Sequence, residues 1–336
     1  MNLPEWGAVW RTNFTSTESL LDFCEIQTEQ RNAFLIDSSY PCSVPMRFAA
    51  KITKGSVDDP LFRQVVPLKK ETVENDTFIK DPLKENKFLH SPCLIQKYHG
   101  RALLIATQAC CMHCRFCFRR HFPHSSVPTE NEFDWLKTHT DIEEVILSGG
   151  DLLALPTKRL QEIFLHLENI PHIQRIRIHT RFPIGIPERI DSQLLDIFAQ
   201  CRKQIVVALH VNHPKELDDD IAEALGQLRA LNILLLSQTV LLKGVNDSAS
   251  TLKELMQALT KIGVLPYYLH QLDRVQGASH FEVTAEKGKE LIASLQATLS
   301  GYMVPKYVQE IPGRPSKQPI ENPSCSLHSW RNLDAE

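Results

Sequence analysis

At 336 residues, 43% of them hydrophobic, the chain is long enough to bury a sizeable core, as one large α/β domain with attachments or as two domains. A formal charge of -3 supplies no general basic surface for nucleic acid or anionic membrane, so neither is an expected partner. No apolar stretch approaches the roughly 18 residues that span a bilayer, and the N-terminus lacks the basic start and apolar run of a secretory signal, so a cytoplasmic setting is expected, where thiols stay reduced. In chain order, residues 1–95 mix short amphipathic pieces with proline-containing connections such as "YPCSVP", predicting a mostly helical N-terminal region in which no strand stands out. The core, 96–301, alternates two patterns. Apolar, β-branched runs predict strands at 102–109, 143–150, 175–181, 204–212, 232–242 and 265–271. Helical-period segments at 157–169, 188–201, 217–231, 248–262 and 284–300 lie between or after them, several opened by Thr, Asp or Pro. Six βα units in a row imply a parallel sheet covered by helices, either open and doubly wound or a barrel. Residues 302–336 form an extended, proline-punctuated tail.

The first strand runs into "CCMHCRFCFRR" (110–120), which holds four of the nine cysteines. Cys110, Cys114 and Cys117 are spaced C-x-x-x-C-x-x-C. Three thiolates on one loop can each bind a different iron of a cubane 4Fe-4S cluster, leaving the fourth iron open to a substrate or cofactor. A zinc knuckle using Cys111, Cys114 and Cys117, or unreactive buried thiols, are the alternatives, but zinc needs a fourth ligand and no second C-x-x-C pair occurs outside the loop. "SGGD" (Ser148 to Asp151) closes the second strand, by itself an ordinary strand-to-helix turn. Lys317, in "EIPGRPSKQP", taken alone is a solvated charge.

The cysteine triad, at the end of the first strand of six βα units, resembles the radical S-adenosylmethionine superfamily, whose fold is a partial (β/α)6 TIM-like barrel. Residues from about 97 to 320 are similar to the lysine 2,3-aminomutases. By that resemblance Cys110, Cys114 and Cys117 hold the cluster, and Ser148, Gly149, Gly150, Asp151 and His179 meet S-adenosylmethionine. Lys317 carries pyridoxal phosphate as a Schiff base; Arg101 and Gln238 hold its phosphate, Tyr98 lies beside it, and Lys97, replacing an arginine, neutralises phosphate without a bidentate fork. Arg119 grips the substrate α-carboxylate. Asp273 and Glu310, the latter in place of an aspartate, bind the distal ammonium and select a diamino acid. His210, Asn212 and His213 cluster at strand ends, where they contact S-adenosylmethionine or shape the cavity.

The implied reaction converts L-lysine to (R)-β-lysine: a radical removes hydrogen from the β-carbon and the amino group moves from α to β. An electron donor such as flavodoxin or ferredoxin is implied. Cys325 is the sole cysteine after Lys317, and Ser248 stands where the fermentative enzymes contribute a cysteine, so no structural zinc is expected. Together with Glu310 and the Pro315-Ser316-Lys317 loop, the short tail resembles the branch that supplies (R)-β-lysine for modifying elongation factor P, which implies a functional link to that factor's ligase. Two alternatives stay open: an aminomutase acting on another amino acid or in lysine catabolism, and a non-catalytic zinc or iron-sulfur binding protein.

Overall fold

Among the described residues ten strands build one large sheet. In the computed structural model, which describes residues 5–122 and 127–321, they are β1 (Leu89–Ser91), β2 (Leu94–Tyr98), β3 (Arg101–Thr107), β4 (Glu144–Gly149), β5 (Arg175–Thr180), β6 (Gln204–His210), β7 (Leu234–Val240), β8 (Leu265–His270), β9 (Lys306–Gln309) and β10 (Gln318–Pro319). Their spatial order is their chain order. From β3 to β9 every neighbouring pair is parallel; β1, β2 and β10 add antiparallel edges.

A parallel sheet in unbroken chain order is singly wound, because right-handed crossovers send every connecting helix to one face. A doubly wound sheet would reverse its order at a switch point. The fold is therefore a partial TIM-like barrel, and among the described residues no ladder joins β10 back to β1.

The connecting helices form where apolar period and cap coincide. Thr157–Glu168 buries Leu160, Ile163, Phe164 and Leu167 as one stripe. Asp191, Asp218, Ser248 and Thr284 accept backbone N–H bonds at the starts of Ser192–Gln200, Asp219–Ala230, Ala249–Lys261 and Ala285–Thr298. The segment predicted to turn helical at 188 does so only at Ser192, because Pro187–Arg189 makes a separate 3-10 turn and Asp191 caps the α-helix that begins beyond it. Ser248 thus has a structural task as a cap. Helix Glu130–Thr138, announced by a Thr129/Glu132 capping box, was not among the predicted segments.

Residues 5–88 form short helices and turns, yet build no core of their own. Leu61, Phe62 and Phe48 are wholly buried in the same cluster as the barrel's Ile176, Leu209 and Leu269. Trp6 and Trp10 pack edge-on against Phe182, with centroids 5.8 and 5.5 Å away. The strands β1 and β2 were not evident in the sequence; they exist because Leu94 and Ile95 pair with Leu104 and Leu103 of β3. Among the described residues no helix is long and apolar enough to cross a membrane. Cys325 lies outside the described residues.

Candidate active site

A cavity of 330 Å³ opens at the C-terminal ends of the parallel strands, the end where barrel loops gather polar groups. One wall is the loop after β3, whose Cys110, Cys114 and Cys117 all line it. Cys111 borders the same wall, but its side chain is 1% exposed and packs in the apolar core, with Sγ 4.0 Å from the Phe182 carbonyl. A charged donor backs the lining thiols: Arg181 Nη1 lies 2.7 Å from Cys114 Sγ. Three cavity-facing thiols on one loop suit the donor set of a cubane iron-sulfur cluster.

The N-terminal region holds this loop in place. Asn13 Nδ2 donates to the Cys111 carbonyl (2.6 Å), the His113 N–H to Ser43 and the Arg115 N–H to Gln64 (both 2.9 Å). Arg115, wholly buried, forks onto Glu71 at 2.9 and 2.7 Å, and Arg120 reaches the same carboxylate at 2.6 Å. Burial alone would raise the Glu71 carboxyl, but the two guanidiniums outweigh it and hold it below the usual range. Glu71→Gln leaves two buried cations short of their counter-charge. It is expected to cost about 3 kcal/mol in denaturant unfolding and to lower the iron retained after reconstitution, measured by metal analysis.

The turn after β4 presses against the cysteine loop, and this requires its glycines. Gly149 has φ +116°, and a Cβ there would sit 2.6 Å from the Thr107 carbonyl oxygen; on Gly150 it would sit 2.4 Å from that of Ala109. In return the N–H groups of Gly150 and Asp151 donate to Thr107 and Ala109, at 2.6 and 2.8 Å. Ser148, Gly149 and Gly150 face the cavity. Asp151 lines it too, but its carboxylate is engaged by the Thr180 hydroxyl (2.7 Å) and the N–H groups of Arg181 (2.7 Å), Phe182 (3.0 Å) and Leu153 (3.1 Å). This side chain clamps two strand ends together.

Across the cavity runs a chain of buried ion pairs. Glu85, 2% exposed, takes Arg119 Nε at 2.8 Å and Nη2 at 2.9 Å and Lys97 at 3.0 Å. Lys97 also reaches Glu310 (2.7 Å), and Glu310 reaches Lys317 (2.6 Å). Burial would raise the Glu310 carboxyl; Lys317 and Lys97 pull it down to about 2. Among the described residues Asp273 has no such partner at contact distance: burial, reinforced by Glu310, pushes its carboxyl up to about 7.

Between the two walls lies a basic, under-bonded pocket. Among the described residues Arg101 Nε, Arg177 Nε and His179 Nε2 are buried without hydrogen-bond partners, and all three residues line the cavity. Arg101 also stacks over Tyr98 at 4.8 Å, and Gln238 Oε1 lies 3.3 Å from His270. Orphaned buried donors next to a lysine amine are the environment that a phosphate-bearing aldehyde cofactor would complete.

No family model matches the chain. The L-lysine 2,3-aminomutase of Haemophilus influenzae is 46% identical over 82% of this chain and 82% of its own, and that of Escherichia coli is 41% identical over 96% of each. The chain belongs to the L-lysine 2,3-aminomutase family. A more distant L-lysine 2,3-aminomutase, from Clostridium subterminale, is 32% identical over 94% of this chain and 77% of its own. A radical SAM methyltransferase from Sphaerobacter thermophilus superposes with TM-score 0.46 at 17% identity, over 64% of this chain and 68% of that one.

In this aminomutase-family chain the fold thus gathers Cys110, Cys114 and Cys117, the cofactor-binding candidates and the substrate-binding candidates around one cavity, with His210 but not Asn212, which is wholly buried against Gln64 and His210. It also adds residues that periodicity and motif do not point to: Glu85, Arg177, Arg181 and Tyr268 line the same space. Glu85 sits in the irregular stretch "DPLKENKF", and only tertiary packing brings it to Arg119. His213 turns instead to its own loop, where Nδ1 accepts the Lys215 N–H.

Proposed function

We propose that this chain is an L-lysine 2,3-aminomutase converting L-lysine to (R)-β-lysine. The observation that carries the reading is that one cavity joins the three-thiol loop, the Lys317 amine and a paired-acid end. When bound, the iron-sulfur cluster with S-adenosylmethionine supplies a hydrogen-abstracting radical, and pyridoxal phosphate supplies the aldehyde that carries the migrating amine.

The chain's own residues bind and orient. Cys110, Cys114 and Cys117 hold the cluster, while the Ser148-Gly149-Gly150 backbone and His179 frame S-adenosylmethionine. Lys317 anchors the aldehyde. Arg101, Gln238 and Lys97 serve the phosphate, with Arg177 as an additional donor. Arg119, with its Nε and Nη2 held by Glu85, is fixed in orientation, and its Nη1, 3.3 Å from Ser148 Oγ, is the edge left for a substrate carboxylate. Asp273 and Glu310 receive the distal ammonium. A substrate acid would bring a third anion to that end, and a leucine side chain would leave Asp273 without a cation. The buried walls keep water and stray hydrogen donors from the reacting carbon.

Anaerobic reconstitution with iron, sulfide and pyridoxal phosphate, with subsequent assay on lysine, glutamate and arginine, tests this reading. Formation of β-lysine from lysine alone is expected; turnover of glutamate or arginine in preference, or failure to cleave S-adenosylmethionine, would sink it.

The Asp273 carboxyl gives the reaction a pH signature. Its folded value near 7 stands above its ordinary 3.8, so it is protonated in the empty site at acid pH. That contribution to stability is full below 3.8 and fades as pH rises through 7, where the carboxylate forms facing Glu310, Glu85, Lys97 and Lys317. The ionised form is the one that attracts an ammonium. KM for lysine is expected to fall between about pH 6 and about pH 8, and Asp273→Asn should flatten that dependence while raising KM throughout.

We further propose that the product serves cytoplasmic modification of elongation factor P through its ligase, and that a flavodoxin- or ferredoxin-type protein supplies the electron. Glu310 and the Pro315-Ser316-Lys317 loop support this assignment by resemblance. Loss of the β-lysyl mass increment on elongation factor P in a strain lacking the protein is the expected result; an unchanged mass would remove the assignment and leave the aminomutase reading intact.

A further inference from the structure

One cavity-lining cation has no task in the mechanism. Arg181 stands just after β5 and is 6% exposed. Its Nη1 points at Cys114 Sγ (2.7 Å), while Nη2 bonds to Gln64 Oε1 (2.7 Å) and Glu216 Oε2 (3.0 Å). Both partners are wholly buried. Glu216 is itself fixed by the N–H groups of Asn212 and His213 and by Gln64 Nε2, each at 3.0 Å; the Arg181 backbone N–H is held by Asp151. The arginine plane lies near the rings of Phe48 and Phe116, with centroids 5.5 and 5.9 Å away.

Stability alone is a weak reason to keep this group. Buried ion pairs can often be replaced by apolar residues without loss, because desolvation offsets their attraction. What an apolar pair could not supply is the third arm of the network, a charged N–H directed at one particular thiol of the cysteine loop. Charge-assisted bonds to a thiolate are among the stronger hydrogen bonds, and in iron-sulfur proteins the hydrogen bonds to sulfur and the local net charge tune the reduction potential.

We propose that Arg181 is a positioning residue that raises the reduction potential of the cluster through Cys114, and that Glu216 moderates it. The inference rests on the reading of Cys114 as a cluster ligand. Reduction adds one electron from an external low-potential donor, dithionite in the test, and makes no new bond; the added negative charge is what the Arg181 donor stabilises. Glu216 cancels part of that positive field while fixing the guanidinium's direction. Removing the donor therefore makes the cluster harder to reduce, and removing the counter-charge makes it easier. The two substitutions have opposite signs, which a purely structural role would not produce.

The test is a redox titration, read by electron paramagnetic resonance, of the reconstituted full-length protein and its Arg181→Gln and Glu216→Gln variants, with iron and sulfide content measured for each. Arg181→Gln is expected to load iron and to shift the reduced-to-oxidised ratio at fixed poise down about tenfold, a fall of about 59 mV for a one-electron couple. Glu216→Gln should shift it the other way. If Arg181→Gln fails to load iron, the upward shift in Glu216→Gln carries the proposal. Unchanged potentials in iron-loaded variants, shifts of the same sign, a shift confined to protein bound to S-adenosylmethionine, or failure of both variants to load iron would overturn it. Cys114→Ser separates the two readings: retention of a native cluster there removes Cys114 as a ligand, whereas loss of the cluster there together with unchanged potentials in the iron-loaded Arg181→Gln and Glu216→Gln variants removes the Arg181 role alone.

Discussion

Lys317→Ala is expected to reduce β-lysine formation by at least about 10⁴-fold while leaving iron content unchanged. Only a primary amine can form the imine with the cofactor aldehyde and release it to the substrate amine. Among the described residues Lys317 pairs with Glu310 at 2.6 Å and with no cysteine of the loop, so its removal leaves the contacts of the thiols in place. A second consequence is electrostatic. With Lys317 gone, Glu310 keeps Lys97 but loses the larger of the two attractions that hold its carboxyl near 2, and the acid end gains net negative charge. Borohydride trapping, peptide mapping and turnover on the same samples check the assignment. Substantial β-lysine production by Lys317→Ala, or a trapped adduct elsewhere, would displace Lys317 from its role.

Serine at Cys110, Cys114 or Cys117 is expected to abolish both the cluster and turnover, whereas Cys111→Ser should keep both. The four thiols are near neighbours in sequence but not in environment. Three face the cavity, where a hydroxyl is a poor substitute for a thiolate on iron. Cys111 sits in the core with Sγ 4.0 Å from the Phe182 carbonyl, too far for a serine hydroxyl to bond, so the change costs about 1–3 kcal/mol of stability without removing a cavity-facing thiol. Iron and sulfide analysis of the four variants decides it. Loss of iron from Cys111→Ser with retention in Cys110→Ser would reassign the ligand set to the zinc-knuckle spacing.

Much of the architecture is legible in the chain because its signals are local. Six of the seven parallel strands, β3 to β8, arise from short apolar runs, and the helices between them from a 3.6-residue apolar period closed by Asp, Ser or Thr caps. Composition and order alone could not choose between a doubly wound sheet and a barrel. That choice emerged from the sequential pairing of β3 through β9. The edge strands escaped notice because β1 and β10 are three and two residues long, too short to show a period.

The candidate site divides in the same way. The cysteine triad is compact, and the Ser148-Gly149-Gly150 turn and Lys317 stand in recognisable contexts, so each could be singled out from the chain alone. The structure gave the glycines a further reason, since a Cβ on Gly149 would strike the end of β3 and one on Gly150 the backbone of the cysteine loop. Glu85, Arg181, Glu216 and Gln64 carry no local mark. Their meaning is set by partners far along the chain: Lys97 meets Glu310 across 213 residues and Arg181 meets Gln64 across 117.

The sequence by itself determined which segments become strands and helices, and which thiols share a spacing suited to a cluster, because backbone propensity and ligand spacing act over a few residues. The tertiary structure alone decided which charges are neutralised, which carboxyl is left to titrate near 7, and which cation faces a thiol. Those outcomes depend on burial and on distances between elements brought together only when the sheet curls, where a buried charge must find a partner wherever in the chain that partner lies.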